Sequence, residues 1–289
     1  MNGVEEFSSL RPGNYRATSE EARLSQYSDT LVVSSFGAVV ICIDAYPSYP
    51  LRGCVADALL MRDLVEDLEI NHGDVIVIYF AGRSSSYSYS DWEDNSYDAD
   101  SCGVPFSQGE SIDALCLMDR DCPDDDGNPV PDISDREFNS ILTQISRSKG
   151  HRITVILDCS HAGGATRYFP VEGVRSAHPL IYALMHILRS ADESMKYSPA
   201  IASVLSKDWV PDMSSHVILA ACKEYQFVKE ARSGEGFHGL FTQPLARILR
   251  QEGLKQLAHI DLLFSIPLFH VQTPVVAGKH KTAKFWYQD

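Results

Sequence analysis

Four short runs of aliphatic residues constrain the fold of this chain most strongly. They read AVVICI at 38–43, VIVIYF at 75–80, ITVIL at 153–157 and HVILAAC at 216–222. Continuous apolar runs of this length are typical of strands that are covered on both faces. Because helical patterns lie between the runs, we predict an α/β fold with a mostly parallel central sheet and helices on both of its faces.

The segments between the runs indicate where helices and loops lie. Leucines recur with helical spacing at 55–70, and Ser134 with Glu137 forms a capping box at the start of a further helical pattern. Prolines near 180–190 and 243–252 predict the starts of two more helices. Residues 84–132 are rich in Ser, Asp, Tyr and Gly, which predicts a long surface loop. The first 35 residues are polar and predict an arm that precedes a single domain at 36–289.

Polar residues follow two of the predicted strands directly. Arg83 comes after VIVIYF and the pair Ala81-Gly82, while Asp158, Cys159 and Ser160 come after ITVIL. In open α/β sheets, ligands bind beyond the carboxyl ends of the strands. We therefore expect these residues to lie at one functional site.

The residues around these positions resemble those of caspases and metacaspases, in particular the fungal caspase-domain type. The resemblance rests on DCSHAG at 158–163, on AG followed by Arg83, and on GCVADA at 53–58. It extends to SSHVILAACKEYQFVKE, GFHGLF and QTPVVAGKHKTAKFW near the C-terminus. It implies a three-layer sandwich with a large-subunit-like part at 36–170, a linker at 171–213 and a small-subunit-like part at 214–289. Only 14 residues, 59–72, separate the first helix start from the second strand, which leaves open whether the usual second strand is missing.

The resemblance places Ser160 where the family has its nucleophilic cysteine and Arg83 where it has its histidine base. A hydroxyl is much harder to ionise than a thiol, so Ser160 would need a strong neighbouring base. The guanidinium of Arg83 stays protonated and cannot be that base. Cys159, one residue away, is interpreted as a buried small hydrophobe rather than a replacement nucleophile.

The resemblance also implies a substrate pocket for basic side chains. Matching by motif assigns Cys54, Asp57 and Asp158 to this pocket. Two neighbouring carboxylates would repel each other, and a guanidinium can bridge them through its planar fork. We therefore expect Arg83 to occupy the pocket as an internal mimic of a basic substrate residue.

Three functional interpretations follow. The first is a catalytically inactive pseudoprotease that binds basic peptides or protein segments, or other caspase-like proteins. The second is an active metacaspase-type cysteine endopeptidase that cleaves after Arg or Lys, in proteolysis or programmed cell death. The third is a degraded gene product with no stable function. The first two differ in the chemistry of Arg83 and Ser160.

Composition excludes several other classes. A net charge of −14 is opposite to the basic face that nucleic acids need, so we predict no nucleic-acid partner. The seven cysteines are scattered and contain no C-x-x-C pair, which indicates neither a disulfide framework nor a zinc site. The N-terminal sequence lacks the pattern of a secretory signal and no apolar run is long enough to span a bilayer. We expect a cytoplasmic or nuclear protein without a membrane partner.

The acidic stretch DRDCPDDDGNPVPD does not match a calcium-binding EF-hand loop. Aligning Gly127 with the central glycine of an EF-hand puts Cys122 at the first ligand position and Ile133 at the twelfth, so the motif fails. We predict no metal and no other cofactor, and a weak calcium site of the kind found in some metacaspases is the minority alternative.

Overall fold

The computed structural model describes residues 36–47, 49–62, 72–88, 111–120, 122–123, 127, 130–160, 172–180, 183–196, 202–234, 236–251, 256–267 and 271–286. The chain divides into two units, Met1–Val33 and Ser34–Asp289, and all described residues belong to the second. The predicted polar arm at 1–35 lies outside them. No described helix is long and apolar enough to cross a membrane.

The described residues form ten strands and five helices. The strands are β1 (Phe36–Cys42), β2 (Val75–Ala81), β3 (Ser84–Ser88), β4 (Ser111–Leu115), β5 (Ile133–Ser134), β6 (Ile153–Asp158), β7 (Val217–Ala220), β8 (Glu230–Ser233), β9 (Gly236–Gly239) and β10 (Val275–Ala277). The helices are α1 (Cys54–Arg62), α2 (Asp135–Lys149), α3 (Ala183–Met195), α4 (Thr242–Leu249) and α5 (His259–Ser265).

Five strands form the central sheet in the order β1-β2-β6-β7-β10. The pairs β1–β2, β2–β6 and β6–β7 are parallel, and β10 is antiparallel to β7. The four aliphatic runs of the sequence are the four parallel strands. Every residue of β2 and β6 is buried, as a strand covered on both faces requires.

Helices cover both faces of this sheet. On one face, Val77 and Tyr79 of β2 pack in a cluster with apolar residues of α1, α4 and α5. On the other face, Ile76 and Ile78 pack with Leu142 of α2. Successive side chains of a strand point to opposite faces, so one aliphatic strand contributes to both layers. The predicted α/β fold, with a mostly parallel sheet between two helical layers, is confirmed.

The prediction of one long surface loop at 84–132 is wrong for its described ends. β3 and β4 pair in antiparallel fashion, and β5 pairs with β4, to make a second, three-stranded sheet. The sequence of β3, SSSYS, lacks the aliphatic residues that indicate a strand, so composition alone does not predict it. Its Tyr87 is buried against Leu188 of α3, and its hydroxyl donates a hydrogen bond of 2.8 Å to Asp132.

The edge strand β1 bears on whether the usual second strand of the family is missing. In the part of the chain that the structure describes, β1 pairs with β2 alone and Val39 is 41% exposed. An additional strand between α1 and β2 would fall in residues 63–71, which lie outside the described residues. The absence of this strand therefore stays a prediction.

The start of α2 follows the predicted capping pattern in part. Ser134 is the N-cap, and its buried hydroxyl accepts a hydrogen bond of 3.1 Å from the Glu137 N–H. We expect Ser134→Ala to lower the free energy of unfolding by about 1–2 kcal/mol, because that N–H loses its acceptor. Urea denaturation of the two proteins measures the difference. Ser148→Ala, at an exposed hydroxyl near the other end of α2, is the control and should change stability little.

Candidate functional site

The candidate site lies at the carboxyl ends of β2 and β6. These strands are neighbours, with Ala81 opposite Asp158, so the residues that follow them meet at one edge of the sheet. Arg83 follows β2, and Ser160 follows β6. The two positions that the resemblance assigns to catalysis are therefore close in the fold, and both side chains are buried.

An acidic pocket beside this edge contains an arginine. The guanidinium of Arg175 lies 2.5 Å from Asp57 Oδ2, 2.8 Å from Asp158 Oδ2 and 3.3 Å from Glu230 Oε1. Asp57 comes from the first turn of α1, Asp158 from the last residue of β6 and Glu230 from the first residue of β8. Three carboxylates from three elements thus surround one guanidinium.

The charges of this pocket do not balance within the cluster. Arg175, Asp57 and Asp158 each have no exposed surface. Burial raises the pKa of Asp57 to about 7, and the guanidinium of Arg175 opposes the rise. Burial alone would lower the pKa of Arg175, but Asp158 and the neighbouring charges raise it well above its ordinary value. The guanidinium of Arg175 therefore stays protonated beside these three carboxylates.

The local backbone explains how these groups come so close together. The carboxylate of Asp44 accepts hydrogen bonds from the N–H groups of Cys54 and Val55, and so orients the start of α1. At Gly239, an added Cβ would lie 2.8 Å from Asp57 Oδ2 and 2.9 Å from Arg175 Nη1. Only glycine fits there without displacing the ion pairs. Its N–H also donates a 2.8 Å hydrogen bond to Asp57.

Arg175 reaches the pocket from an extended stretch that we call the cleft segment, residues 173–177. On one side, its Arg175 N–H donates to the carbonyl of Val228 at 3.0 Å, and its Gly173 carbonyl accepts from Glu230 N–H at 2.8 Å. On the other side, Ala177 N–H donates to the Ser84 carbonyl at 2.8 Å. The cleft segment therefore forms isolated bridges with Ser84, the first residue of β3, and with Lys229, which precedes β8.

The carbonyl of Arg175 lies at the nucleophile position that the resemblance implies. It accepts hydrogen bonds from the N–H of Ser160 at 3.1 Å and, more weakly, from that of Ser84 at 3.4 Å. Backbone N–H groups placed around one carbonyl oxygen are the arrangement that stabilises an oxyanion in acyl transfer. The hydroxyl of Ser160 accepts a hydrogen bond of 3.0 Å from the N–H of Val228. The peptide bond after Arg175 is thus positioned next to Ser160.

Arg83 does not occupy the acidic pocket, so that prediction is wrong. Its guanidinium donates instead to the backbone carbonyls of Tyr49, Val174 and Ser176. Its backbone N–H donates to the Tyr46 hydroxyl at 2.8 Å, and these contacts hold Arg83 against Tyr46, Tyr49 and the cleft segment. The bridging role belongs to Arg175. Arg83 donates to the carbonyls of Val174 and Ser176, the residues immediately before and after Arg175.

The structure brings the other predicted pocket residues together. Cys54 Sγ lies 3.7 Å from Glu230 Oε1, and Asp57 and Asp158 both contact Arg175. Cys159 is buried, and burial raises the pKa of its thiol, which makes it a poor nucleophile. Sequence reasoning missed Glu230 and Arg175. Glu230 is the last residue of SSHVILAACKEYQFVKE, a segment that carries the family resemblance, so it could have been found. Arg175 lies in the predicted linker at 171–213, where no motif indicates it.

One group of potential metal ligands occurs among the described residues. The side chains of Asp44, Cys54 and Glu230 each bring one ligand atom within 4.8 Å of the others. Their hydrogen bonds already account for this arrangement, because Asp44 caps α1 and Glu230 accepts from the N–H groups of Arg52 and Gly53. The geometry of these three residues therefore does not indicate a metal site.

Comparison with known proteins decides the family. The model of the caspase domain matches residues 36–272. The chain belongs to the caspase-domain family. A crystal structure of a protein from Geobacter sulfurreducens is similar to this caspase domain with a TM-score of 0.54 at 17% identity. The similarity covers 88% of this chain and 100% of that one, and it shows the fold alone. A search of curated proteins found no match.

The match of this caspase domain includes the end of β2, the end of β6 and the cleft segment. At these positions the acidic pocket binds the side chain of Arg175, and the Ser160 N–H donates to the carbonyl of the same residue. The caspase domain therefore contains an arginine bound through both its side chain and its carbonyl.

Proposed function

We propose that this caspase domain is a pseudoprotease that binds arginine-containing extended segments and does not cleave them. The contacts of its own cleft segment support this proposal, because Arg175 of that segment lies in the acidic pocket. Displacing residues 173–177 would free the same pocket for a basic peptide or for a basic segment of another caspase-like protein. The observation that carries the proposal is Arg175, whose guanidinium contacts three carboxylates and whose carbonyl accepts from Ser160 N–H.

The chemistry at Ser160 supports the absence of cleavage. Its hydroxyl already accepts the N–H of Val228, and Arg83 is the residue that the family resemblance places at the base position. Arg83 is protonated and donates its N–H groups to carbonyl oxygens. A nucleophile needs a neighbouring base to lose its proton, and a guanidinium cannot accept one. Binding can persist under these conditions because it uses only carboxylates and backbone groups.

The pairing of the cleft segment supports extended peptides as the ligand class. Main-chain hydrogen bonds to Val228 and Glu230 do not depend on side chains, so any extended segment can form them. Selectivity comes from the acidic pocket, which accepts one long cationic side chain. A guanidinium matches several carboxylates better than an ammonium does, because its donors form a planar fork. We therefore expect arginine to be preferred over lysine.

The second candidate function is an active endopeptidase that cleaves after Arg or Lys, in proteolysis or programmed cell death. The acidic pocket favours it equally, since such an enzyme needs the same selectivity. It requires a base at Ser160, and among the described residues no side chain that can accept a proton forms a hydrogen bond with the Ser160 hydroxyl. The two candidates are separated by a turnover measurement.

We expect the purified protein to release no fluorophore from Arg- or Lys-terminated peptides, with or without calcium. Loss of a nucleophile or base costs a serine peptidase roughly 10⁶-fold in kcat, which brings the rate near the background. The assay compares the protein with Ser160→Ala, and the two should give the same rate. Turnover that Ser160→Ala abolishes would establish the endopeptidase instead.

A further inference from the structure

A second cavity beside the cleft segment has the opposite charge. Its volume is about 100 Å³, and its lining consists of Tyr46, Tyr49, Arg83, Arg120, Ala177 and His178. Two of these side chains are permanent cations, and no carboxylate occurs among the described residues that line the cavity. None of the residues that contact the guanidinium of Arg175 lines it. This cavity is therefore separate from the acidic pocket.

Among the described residues, every hydrogen-bond acceptor of the Arg83 guanidinium is a neutral backbone carbonyl. The residue is 3% exposed, and its guanidinium donates hydrogen bonds to the carbonyls of Tyr49, Val174 and Ser176. Burial lowers the pKa of Arg83, because the charged form loses its hydration. Carbonyl dipoles offset a buried full charge only in part. An anion in the adjoining cavity would gain a favourable interaction.

Arg120 has donors left for a ligand. Its Nε and Nη2 bond to the carboxylate of Asp132, with a shortest distance of 2.8 Å, and Nη2 also donates to the His178 carbonyl at 3.0 Å. Within the described part of the chain, Nη1 forms no hydrogen bond. A guanidinium has five N–H donors, and two of them are on Nη1. Asp132 therefore neutralises Arg120 without using all of its donors.

We propose that this cavity binds a small oxyanion, either a carboxylate or a phosphate group. Guanidinium donors match the oxygen geometry of both groups and form charge-assisted hydrogen bonds with them. The ring of Tyr46 lies 5.6 Å from the Arg83 guanidinium and supports its position by a cation–π contact. His178 also lines the cavity, and this residue is exposed. The net charge of −14 repels anions from the rest of the surface, so saturable binding requires a local basic site of this kind.

The test measures the melting temperature while sodium phosphate or sodium acetate is added, with sodium chloride at matched ionic strength as the reference. A ligand that binds only the folded state raises the melting temperature in a saturable way. We expect a saturable rise with phosphate, acetate or both. Arg83→Gln should weaken the affinity at least about tenfold, since one charge-assisted hydrogen bond contributes that much.

His178→Ala and Arg232→Gln complete the experiment. His178 is exposed, so its removal leaves the fold intact and should weaken binding measurably. Arg232 is exposed and does not line the cavity, so Arg232→Gln should bind like the parent protein. If Arg83→Gln does not fold, His178→Ala decides the matter. The proposal is wrong if the parent shows no saturable rise beyond chloride. It is equally wrong if the cavity variants bind as tightly as the parent.

Discussion

Arg175→Ala is expected to lower the free energy of unfolding by about 3–5 kcal/mol, the usual cost of removing one partner from a buried ion pair. The side chain has no exposed surface, and its removal leaves Asp57, Asp158 and Glu230 facing one another without a cation. Arg175→Lys keeps the charge but loses the fork that reaches several carboxylates, so we expect a smaller loss. Urea denaturation of the three proteins gives the values.

Arg232→Ala is the matched control for this experiment. Arg232 lies in the neighbouring strand β8 but is exposed, and substitutions of this kind usually change stability by about 0.5 kcal/mol or less. Should Arg175→Ala fail to fold, Arg175→Gln replaces it, because the amide retains some hydrogen bonding to the carboxylates. A loss below about 1 kcal/mol in Arg175→Ala would show that the ion pairs of the pocket do not stabilise the fold.

The largest expected change in rate comes from the double variant Ser160→Cys with Arg83→His. The first substitution places a thiol on residue 160, whose backbone N–H already donates to the Arg175 carbonyl. The second supplies an imidazole that can accept the proton of the thiol. We expect the chain to cut itself after Arg175, at least about 10³-fold faster than the parent protein, given what a nucleophile and its base contribute. Intact mass spectrometry over time identifies the bond and gives the rate.

Three variants control the self-cleavage experiment. Ser160→Cys alone and Arg83→His alone each lack one partner and should remain largely uncut. Adding Arg175→Gln to the double variant removes the side chain that the acidic pocket holds and should prevent the cut. Cleavage at a different bond would show that the cleft segment is not bound as a substrate would be. An intact double variant would contradict the alignment of Ser160 with the Arg175 carbonyl.

The sequence predicts the parts of the fold that arise from local patterns. The four aliphatic runs become β1, β2, β6 and β7 because residues covered on both faces must be apolar throughout. The ends of two of these strands then locate the site, since neighbouring parallel strands end at one edge. The serine-rich β3 escapes this reasoning, because its burial depends on contacts with β4 and α3 that its composition does not indicate.

The occupant of the acidic pocket could not be predicted for a related reason. Asp57 and Arg175 are 118 residues apart, and their contact depends on how the cleft segment pairs with Ser84 and Val228. Arg83 was the arginine that a local pattern placed near the strand ends. Its contacts with the Tyr46 hydroxyl and with the carbonyls of Val174 and Ser176 are likewise non-local. A guanidinium does bridge Asp57 and Asp158, as the sequence predicts, but it belongs to Arg175 rather than to Arg83.

The response of the Arg175→Ala variant to agmatine, a small molecule with a guanidinium group, tests whether the acidic pocket binds an arginine side chain. The emptied pocket retains three carboxylates, so agmatine should raise the melting temperature of the variant in a saturable way, beyond sodium chloride at the same ionic strength. The parent protein should show no such rise, because Arg175 already fills the pocket. Equal responses of the two proteins, or no response of the variant, would contradict the claim that the pocket is built to bind an arginine side chain.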